Sequence, residues 1–283
     1  MPITHVSDTA RWVAVYRAME SERPDALFND PFARRLAGPK GEEIVRSLDR
    51  GVQAAWSMIV RTVAIDEILM RLVRDDGVDC VLNFAAGLDA RPFRLDLPSS
   101  LDWIDVDFAD VLDYKWEVLR DATARCRYHR VPADLSDANA RRAVLERVAS
   151  QYQRVLVVAE GLLIYLDPAD VLALARDLQA TAPCRWWIID IANPQLLQWM
   201  QRSWGKSAAQ GNAPFKFAPA EGTAFFAPAG WRELEFRSSF HEGIRLNRAM
   251  RGAWLWRIIG RLMSKRRRAM ADRMAGVALL GRG

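Results

Sequence analysis

Two short stretches of this chain carry residue types that could do chemistry together. The first runs Asp79-Cys80-Val81-Leu82-Asn83-Phe84-Ala85-Ala86-Gly87-Leu88-Asp89, an apolar segment that ends in small residues. The second runs Trp103-Ile104-Asp105-Val106-Asp107 and ends in an acid 20 positions past Gly87. In an open α/β sheet, small residues at the tip of one strand let backbone approach a ligand. An acid at the tip of the next accepts both hydroxyls of a ribose. The pair reads as a device for holding an adenosine-containing cofactor.

The loop chemistry narrows the ligand. A dinucleotide needs G-x-G-x-x-G so that its pyrophosphate can sit on a helix N-terminus. Here the run is Ala85-Ala86-Gly87-Leu88-Asp89-Ala90, with one glycine of three, and Asp89 would bring negative charge towards a diphosphate. A nicotinamide-dependent oxidoreductase is disfavoured on that count. S-adenosyl-L-methionine has no phosphate, and an acid near the loop can hold its ammonium group. Arg61, upstream, can pair with its carboxylate as a bidentate clamp.

Two more segments fit that ligand. In Pro132-Ala133-Asp134-Leu135, Asp134 can accept from the exocyclic amine of an adenine while Leu135 covers the ring. In Ala159-Glu160-Gly161, Glu160 falls at the carboxyl end of a continuously apolar run, where open α/β sheets place their ligands. Each residue also has a structural reading. Asp107 and Asp134 could cap helices, Glu160 could pair across the sheet, and Arg61 could be a surface charge.

These residues must be positioned by an alternation of strands and helices. Strands are expected at 78–84, 102–107, 127–131, 154–159, 185–191, 231–238 and 276–281, and helices at 109–124, 137–150 and 168–180. Val155-Leu156-Val157-Val158-Ala159 and Trp186-Trp187-Ile188-Ile189-Asp190-Ile191 suit inner strands of a parallel sheet covered on both faces. Asp167-Pro168 opens a helix, with Asp as cap and Pro at the first helical position. Before residue 76 the pattern is helical. Thr9 to Glu20 turns Trp12, Val15, Tyr16 and Met19 to one face. Asn29-Asp30-Pro31 opens a short helix, Gly38-Pro39-Lys40-Gly41 is a turn, and Ala54 to Val73 carries an apolar stripe of Ile59, Val63, Ile65, Ile68, Leu69 and Leu72. The expected architecture is an α/β doubly wound sheet. Residues 1–75 form a helical cap and 76–283 a core, with helical insertions at 192–229 and 239–275 that shape an acceptor pocket.

Composition bounds the rest. At 283 residues and 51% apolar, the chain can bury one large core. No apolar run approaches the roughly 18 residues a membrane span needs, and the first residues lack a signal-peptide pattern, so a cytoplasmic location is expected. Cys80, Cys126 and Cys184 are odd in number and far apart, and the histidines are scattered, which disfavours disulfides and zinc. The net charge of +5 is concentrated: residues 245–273 hold nine Arg and Lys265 against one acid, Asp272. The run Lys265-Arg266-Arg267-Arg268 reads first as a solvated helix face, and otherwise as an attractor for an acidic partner. No nucleic-acid-binding module is recognisable.

Asn83-Phe84-Ala85-Ala86-Gly87-Leu88-Asp89-Ala90-Arg91 resembles the N-L-G-A-G-L-D-T-R element of the leucine carboxyl methyltransferase family, which includes tetracenomycin-type polyketide O-methyltransferases. Other pieces match in order: Arg17-Ala18-Met19-Glu20, Asn29-Asp30-Pro31-Phe32, Arg61-Thr62 through Asp66, Val111-Leu112-Asp113-Tyr114-Lys115, Glu160-Gly161-Leu162-Leu163-Ile164-Tyr165-Leu166 and Phe225-Phe226-Ala227-Pro228-Ala229-Gly230-Trp231. The resemblance covers roughly residues 9–282. It implies a Rossmann-like, seven-stranded methyltransferase sheet whose last strand is antiparallel, with S-adenosyl-L-methionine as cofactor. By position it gives Arg61 the methionine carboxylate, Gly87 the methionine part, Asp107 the ribose, Asp134 and Leu135 the adenine, Glu160 the methionine end, and Arg17 a second contact from the cap. Ala85 and Phe108 complete the cofactor-binding set. The sequence departs from the pattern where Ala85 replaces a usual glycine and Ala90 a usual threonine.

The chemistry expected is methyl transfer to a carboxylate or hydroxyl of a small, polyketide-like secondary metabolite, with the C-terminal carboxyl of a protein or peptide as the alternative acceptor. A binding-only copy of the fold is a further alternative. A carboxylate is ionised at pH 7 and needs no base, whereas a phenol, with pKa about 10, profits from one. Tyr165, His129 and His241 are the only base candidates, and none has a compelling sequence context, which favours a carboxylate. Tyr165 is the catalytic candidate, acting mainly through proximity and orientation. Trp199, Trp204, Phe215, Phe217, Trp254 and Trp256 fall in the insertions, where they could line a bulky acceptor pocket.

Overall fold

In the computed structural model, which describes residues 8–47, 52–210, 214–250, 252 and 263–283, the strand-forming segments join one seven-stranded sheet. At its centre β1 (Cys80–Phe84) pairs in parallel with β2 (Asp102–Asp107) on one side and β4 (Val155–Ala159) on the other. Outside β2 lies β3 (Arg127–Pro132), also parallel. Outside β4 lies β5 (Cys184–Ala192), again parallel. The last strand, β7 (Ala275–Arg282), enters antiparallel to β5 and is flanked in turn by β6 (Trp231–Ser238), antiparallel to β7. The order is therefore β3-β2-β1-β4-β5-β7-β6. Every strand expected from sequence is present, displaced by no more than two residues at either end, and the last strand is the antiparallel one.

The apolar runs explain the layering. All residues of β1 and β4 are buried, as strands covered on both faces must be. On one face α3 (Ala55–Asp75) lays Ile65, Ile68, Leu69 and Leu72 against Val81, Leu156, Val158 and Ile188. On the other, α6 (Ala138–Gln151) and α7 (Pro168–Ala180) bring Val144, Val148, Val171, Leu174 and Leu178 against Leu82, Val157, Trp187 and Ile189. A third cluster joins α1 (Asp8–Ser21) and α2 (Ala33–Ser47), with Trp12, Val15, Tyr16, Leu36 and Ile44 packed against Leu88, Phe93 and Phe215. The cap is thus anchored on the loop that follows β1.

Several local expectations are corrected. Asn29-Asp30-Pro31 leads into a helix that starts two residues later than Pro31, at Ala33, with the Asp30 carboxylate accepting from the Phe32 N–H and from Arg17. The Gly38–Gly41 turn lies within α2 as a kink, where Gly38 takes φ 60° and Pro39 restarts the helix. The helix after β2, α5 (Ala109–Leu119), stops five residues short of the expected end. Asp137, rather than Asp134, caps α6, accepting from the N–H groups of Asn139 and Ala140. Asp167 does precede Pro168 at the start of α7, but its carboxylate bonds Lys216 and leaves the helix end uncapped by a side chain.

The insertions carry helices among their described residues, with irregular chain at 214–219 and 246–250. α8 (Pro194–Gln210) follows β5, and a 3₁₀ segment (Gly222–Ala229) leads into β6. α9 (Ser239–Arg245) and α10 (Lys265–Asp272) lie between β6 and β7. Trp254, Trp256 and the side chains of Trp204 and Lys265 lie outside the described residues. Among the described residues no helix is long and apolar enough to cross a membrane.

Candidate functional site

The order of strands reverses between β1 and β4, and ligands of such sheets sit outside the carboxyl ends at that reversal. There the chain leaves β1 through two left-handed residues. Ala85 has φ 51° and Gly87 φ 48°. Gly87 needs its lack of a side chain twice over, since a Cβ there would also stand 3.1 Å from the Ala10 Cβ of α1. Ala85 adopts the same region with a methyl group attached, at a strain of about 1–2 kcal/mol.

Asp107 ends β2 and folds back over this loop. One carboxylate oxygen accepts the Gly87 N–H at 2.7 Å and the other the Phe108 N–H at 2.7 Å. Burial raises the carboxyl above its ordinary pKa against those two hydrogen bonds, so its charged form is held less tightly than that of an exposed aspartate. Beneath it, Asp105 is fully buried and fully paired, accepting from Lys115 Nζ at 2.6 Å, Tyr128 Oη at 2.6 Å, Trp103 Nε1 at 2.9 Å and Asn83 Nδ2 at 3.0 Å. This pairing ties β1, β2, β3 and α5 under the loop and fixes where Asp107 emerges.

A band of alternating charge lies next to the loop. Arg61, on α3, donates from Nε to Glu160 at 2.9 Å and from Nη1 to Asp190 at 2.8 Å. Arg91 donates to the other Glu160 oxygen at 2.8 Å, to Asp89 at 2.7 Å and to Asp66 at 2.6 Å. Asp190 also accepts the Gly161 N–H at 2.6 Å. Burial pushes both Glu160 and Asp89 upwards, but the cations outweigh it: Arg91 and Arg61 hold Glu160 below the usual range, and Arg91, Lys115 and Arg17 hold Asp89 far below it. Both are anionic at neutral pH. Arg17 donates to Asp30 at 2.8 Å and to the Leu88 carbonyl at 2.6 Å, so it braces the loop from α1.

The nine cofactor-binding candidates and Tyr165 line one cavity of about 1360 Å³: Arg17, Arg61, Ala85, Gly87, Asp107, Phe108, Asp134, Leu135, Glu160 and Tyr165. Its polar end is the loop and charge band. Asp134 is exposed at the rim, with one oxygen accepting from the Ser136 N–H and hydroxyl. Its other end is apolar, walled by Trp12, Trp56, Met58, Leu162, Trp199, Met200, Phe215 and Phe217. Tyr165 stacks 5.8 Å from Phe215, and burial raises its phenol against a hydrogen bond from Thr9. It keeps its proton at neutral pH and lines the cavity. His129 bonds Asp102 at the foot of β2 and is absent from the cavity wall. Ligand pockets commonly occupy about 300–1,000 Å³, so this cavity has room for a cofactor and a second molecule.

Residues 10–179, more than half of the sequence, match the model of the leucine carboxyl methyltransferase family. The chain belongs to the leucine carboxyl methyltransferase family. A relative from Streptomyces avermitilis, carried under the provisional name S-adenosyl-L-methionine-dependent methyltransferase, is 32% identical over 242 residues, 79% of this chain and 82% of that protein. One from Frankia alni with the same provisional name is 38% identical over 175 residues, 57% of this chain. The match spans 59% of the Frankia protein's length. Among solved structures, a DUF574 family protein from Streptomyces avermitilis superposes with a TM-score of 0.62 at 15% identity, covering 97% of each chain. A structure from Thermobifida fusca described as a methyltransferase gives 0.57 at 13% identity, covering 100% of this chain and 96% of that one. These two likenesses are of fold. The cofactor named for the relatives, S-adenosyl-L-methionine, has the chemistry this family member's site fits: an adenosine, an ammonium and a carboxylate, with no phosphate.

Asp190 and Arg91 escaped the reading of individual residues, although they complete the charge band. The signal for Asp190 was present: one acid interrupts the otherwise apolar run of β5. Arg91 is the first residue of the short helix α4 (Arg91–Arg94) that follows the loop, and its place there was its signal. Among the described residues no group of three or more His, Cys, Asp or Glu could hold a metal ion, and the three cysteines are free and buried.

Proposed function

We propose that this family member transfers a methyl group from S-adenosyl-L-methionine to an oxygen of a small, largely apolar acceptor of the secondary-metabolite kind. The observation that carries the reading is the single cavity that joins the loop and charge band to an aromatic-walled space. Asp107 accepts the ribose hydroxyls, Asp134 and Leu135 take the adenine at the rim, and Gly87 with Ala85 lies along the methionine chain. Arg61 meets the cofactor carboxylate, and Glu160 with Asp89 balances its ammonium. Arg61 already shares its guanidinium with Glu160 and Asp190, which fixes its plane before any ligand arrives. When bound, the sulfonium supplies a methyl group already activated for displacement. The protein's own contribution is alignment and exclusion of water by the aromatic wall.

The test incubates the protein with S-adenosyl-L-methionine and a panel of aromatic acids, phenols and peptides with free C-termini. Product is followed as S-adenosylhomocysteine and as a mass gain of one methyl on the acceptor. Methyl esters or ethers of the small acceptors support the reading. Turnover of peptides alone moves it to the peptide C-terminus, and cofactor binding without any turnover makes the chain a binding protein.

A further inference from the structure

His241 and Asp272 come from different elements and meet on the cavity wall. β6 runs parallel to β5, so Ser238 at its carboxyl end, paired with Gly276, lies at the same sheet edge as Ala192, paired with Ala275. α9 begins at once and carries His241 into the wall, while α10 returns Asp272 from the other side. His241 Nε2 stands 2.8 Å from Asp272 Oδ1, and the imidazole packs edge-on at 5.8 Å from the Phe240 ring. In the tautomer that donates Nε2–H to Asp272, Nδ1 keeps a lone pair, and no described residue partners it. A carboxylate bonded to one imidazole nitrogen fixes the tautomer, which leaves the other nitrogen placed to accept a proton. Arg268 lies one turn before Asp272 on α10 and lines the same cavity. Glu242 on α9 is bonded by Arg245, which also reaches Glu67 on α3, and Arg237 on β6 is bonded to Glu67 and Glu235.

We infer that His241, oriented by Asp272, is the general base of this site and that the acceptor is a hydroxyl of phenolic type. The inference rests on the oxygen-methylation reading above and selects within it. As the acceptor O–H bond breaks, the proton passes to His241 Nδ1 and its electron pair stays on oxygen. The oxygen–carbon bond forms as the carbon–sulfur bond breaks, with that pair returning to sulfur. A carboxylate acceptor would leave this dyad without a task. The apolar walls fit an aromatic body, which they would hold with its hydroxyl towards α9.

The experiment reads proton transfer apart from turnover. para-Nitrophenol is titrated against pH with excess protein and saturating S-adenosylhomocysteine, and its phenolate band is followed. In the wild type the band persists to lower pH than for the free phenol; in His241→Gln and Asp272→Asn that displacement is lost. S-adenosylhomocysteine binding by calorimetry verifies that both variants are folded. In the turnover arm, methyl transfer to phenols falls about 10²–10⁴-fold in His241→Gln and recovers as pH rises enough to ionise the phenol itself. An identical band in wild type and both variants, or no displacement in the wild type, overturns the dyad. Wild-type turnover of carboxylates but not phenols also overturns it while leaving oxygen methylation intact. Turnover of neither class overturns the oxygen reading, and the dyad is then judged on the phenolate band alone.

Discussion

Ala85 is the residue where this chain departs from the small-residue loop its chemistry asks for, and its backbone shows the consequence. A methyl group is held at φ 51°, where glycine would sit unstrained. Ala85→Gly relieves that strain but frees the unfolded chain, so a net gain of about 0.5–1 kcal/mol is expected in the urea midpoint. Arg61→Ala should abolish calorimetrically measurable S-adenosylhomocysteine binding. It should also lower stability by about 3 kcal/mol, because it leaves Glu160 and Asp190 near one another without their shared cation. Glu160 makes a signed prediction. Its folded pKa is depressed, so its contribution is present above the ordinary carboxylate value of about 4.3 and is lost as pH falls through the folded value. The stability gap between wild type and Glu160→Gln, from urea midpoints at descending pH, should therefore narrow on the acid side. Asp107 runs the other way, since its raised pKa makes cofactor affinity fall at a higher pH than an ordinary aspartate would allow. At this scale Gly87, Asp107, Asp134 and Glu160 were legible because each stands at a strand end. The pairing of Arg61 with two acids was not, because Asp190 lies 129 residues away and only the sheet brings them together.

At the scale of elements, β1 and β4 were readable nearly to the residue because parallel inner strands must be apolar on both faces. Helix limits were less so. α5 ends where Asp121 and Arg120 turn outward, and the kink of α2 depends on Gly38 taking a left-handed conformation that no periodicity announces. The pairing of β2 with α5 through Asp105 and Lys115 gives an element-level test. Both side chains are fully buried, so Lys115→Met strands a charge and should cost about 3–5 kcal/mol. Double replacement, Asp105→Asn with Lys115→Met, should recover part of that loss in the same denaturation measurement. Ile68→Ala, on the α3 face against the sheet, should cost about 2–5 kcal/mol by opening a cavity beside Val81 and Ile188.

Across the whole molecule, the sequence announced a cofactor and an aromatic-lined space beside it, and Trp199, Phe215 and Phe217 do line the cavity, but it did not show how the wall is assembled. The acceptor wall draws on α1, α3, the segment after β4, α8, α9 and α10, and no local pattern relates residues so far apart. The same is true of His241, which has no neighbour in sequence to mark it and gains Asp272 only through the fold. The basic run at 265–268 has Arg266, Arg267 and Arg268 exposed, as a solvated face would be, with Arg268 also reaching the cavity. Ligand linkage tests the molecule as one unit: S-adenosylhomocysteine at a hundredfold excess over its dissociation constant should add about 2.7 kcal/mol to unfolding. NAD should add nothing, since the loop has neither the glycines nor the charge to hold a diphosphate.

The seating of β7 between β5 and β6 has a consequence for synthesis. A ribosome finishes β5 at residue 192 and then has to reach residue 275 before that strand acquires its outer neighbour. At 5–20 residues per second the wait is on the order of 4–17 s. Through that interval one edge of a largely apolar strand stays open, and β6 emerges with no partner at all. An unpaired apolar edge recruits strands from other chains, so nascent chains stalled in this window should be bound by chaperones far more than chains stalled before β5.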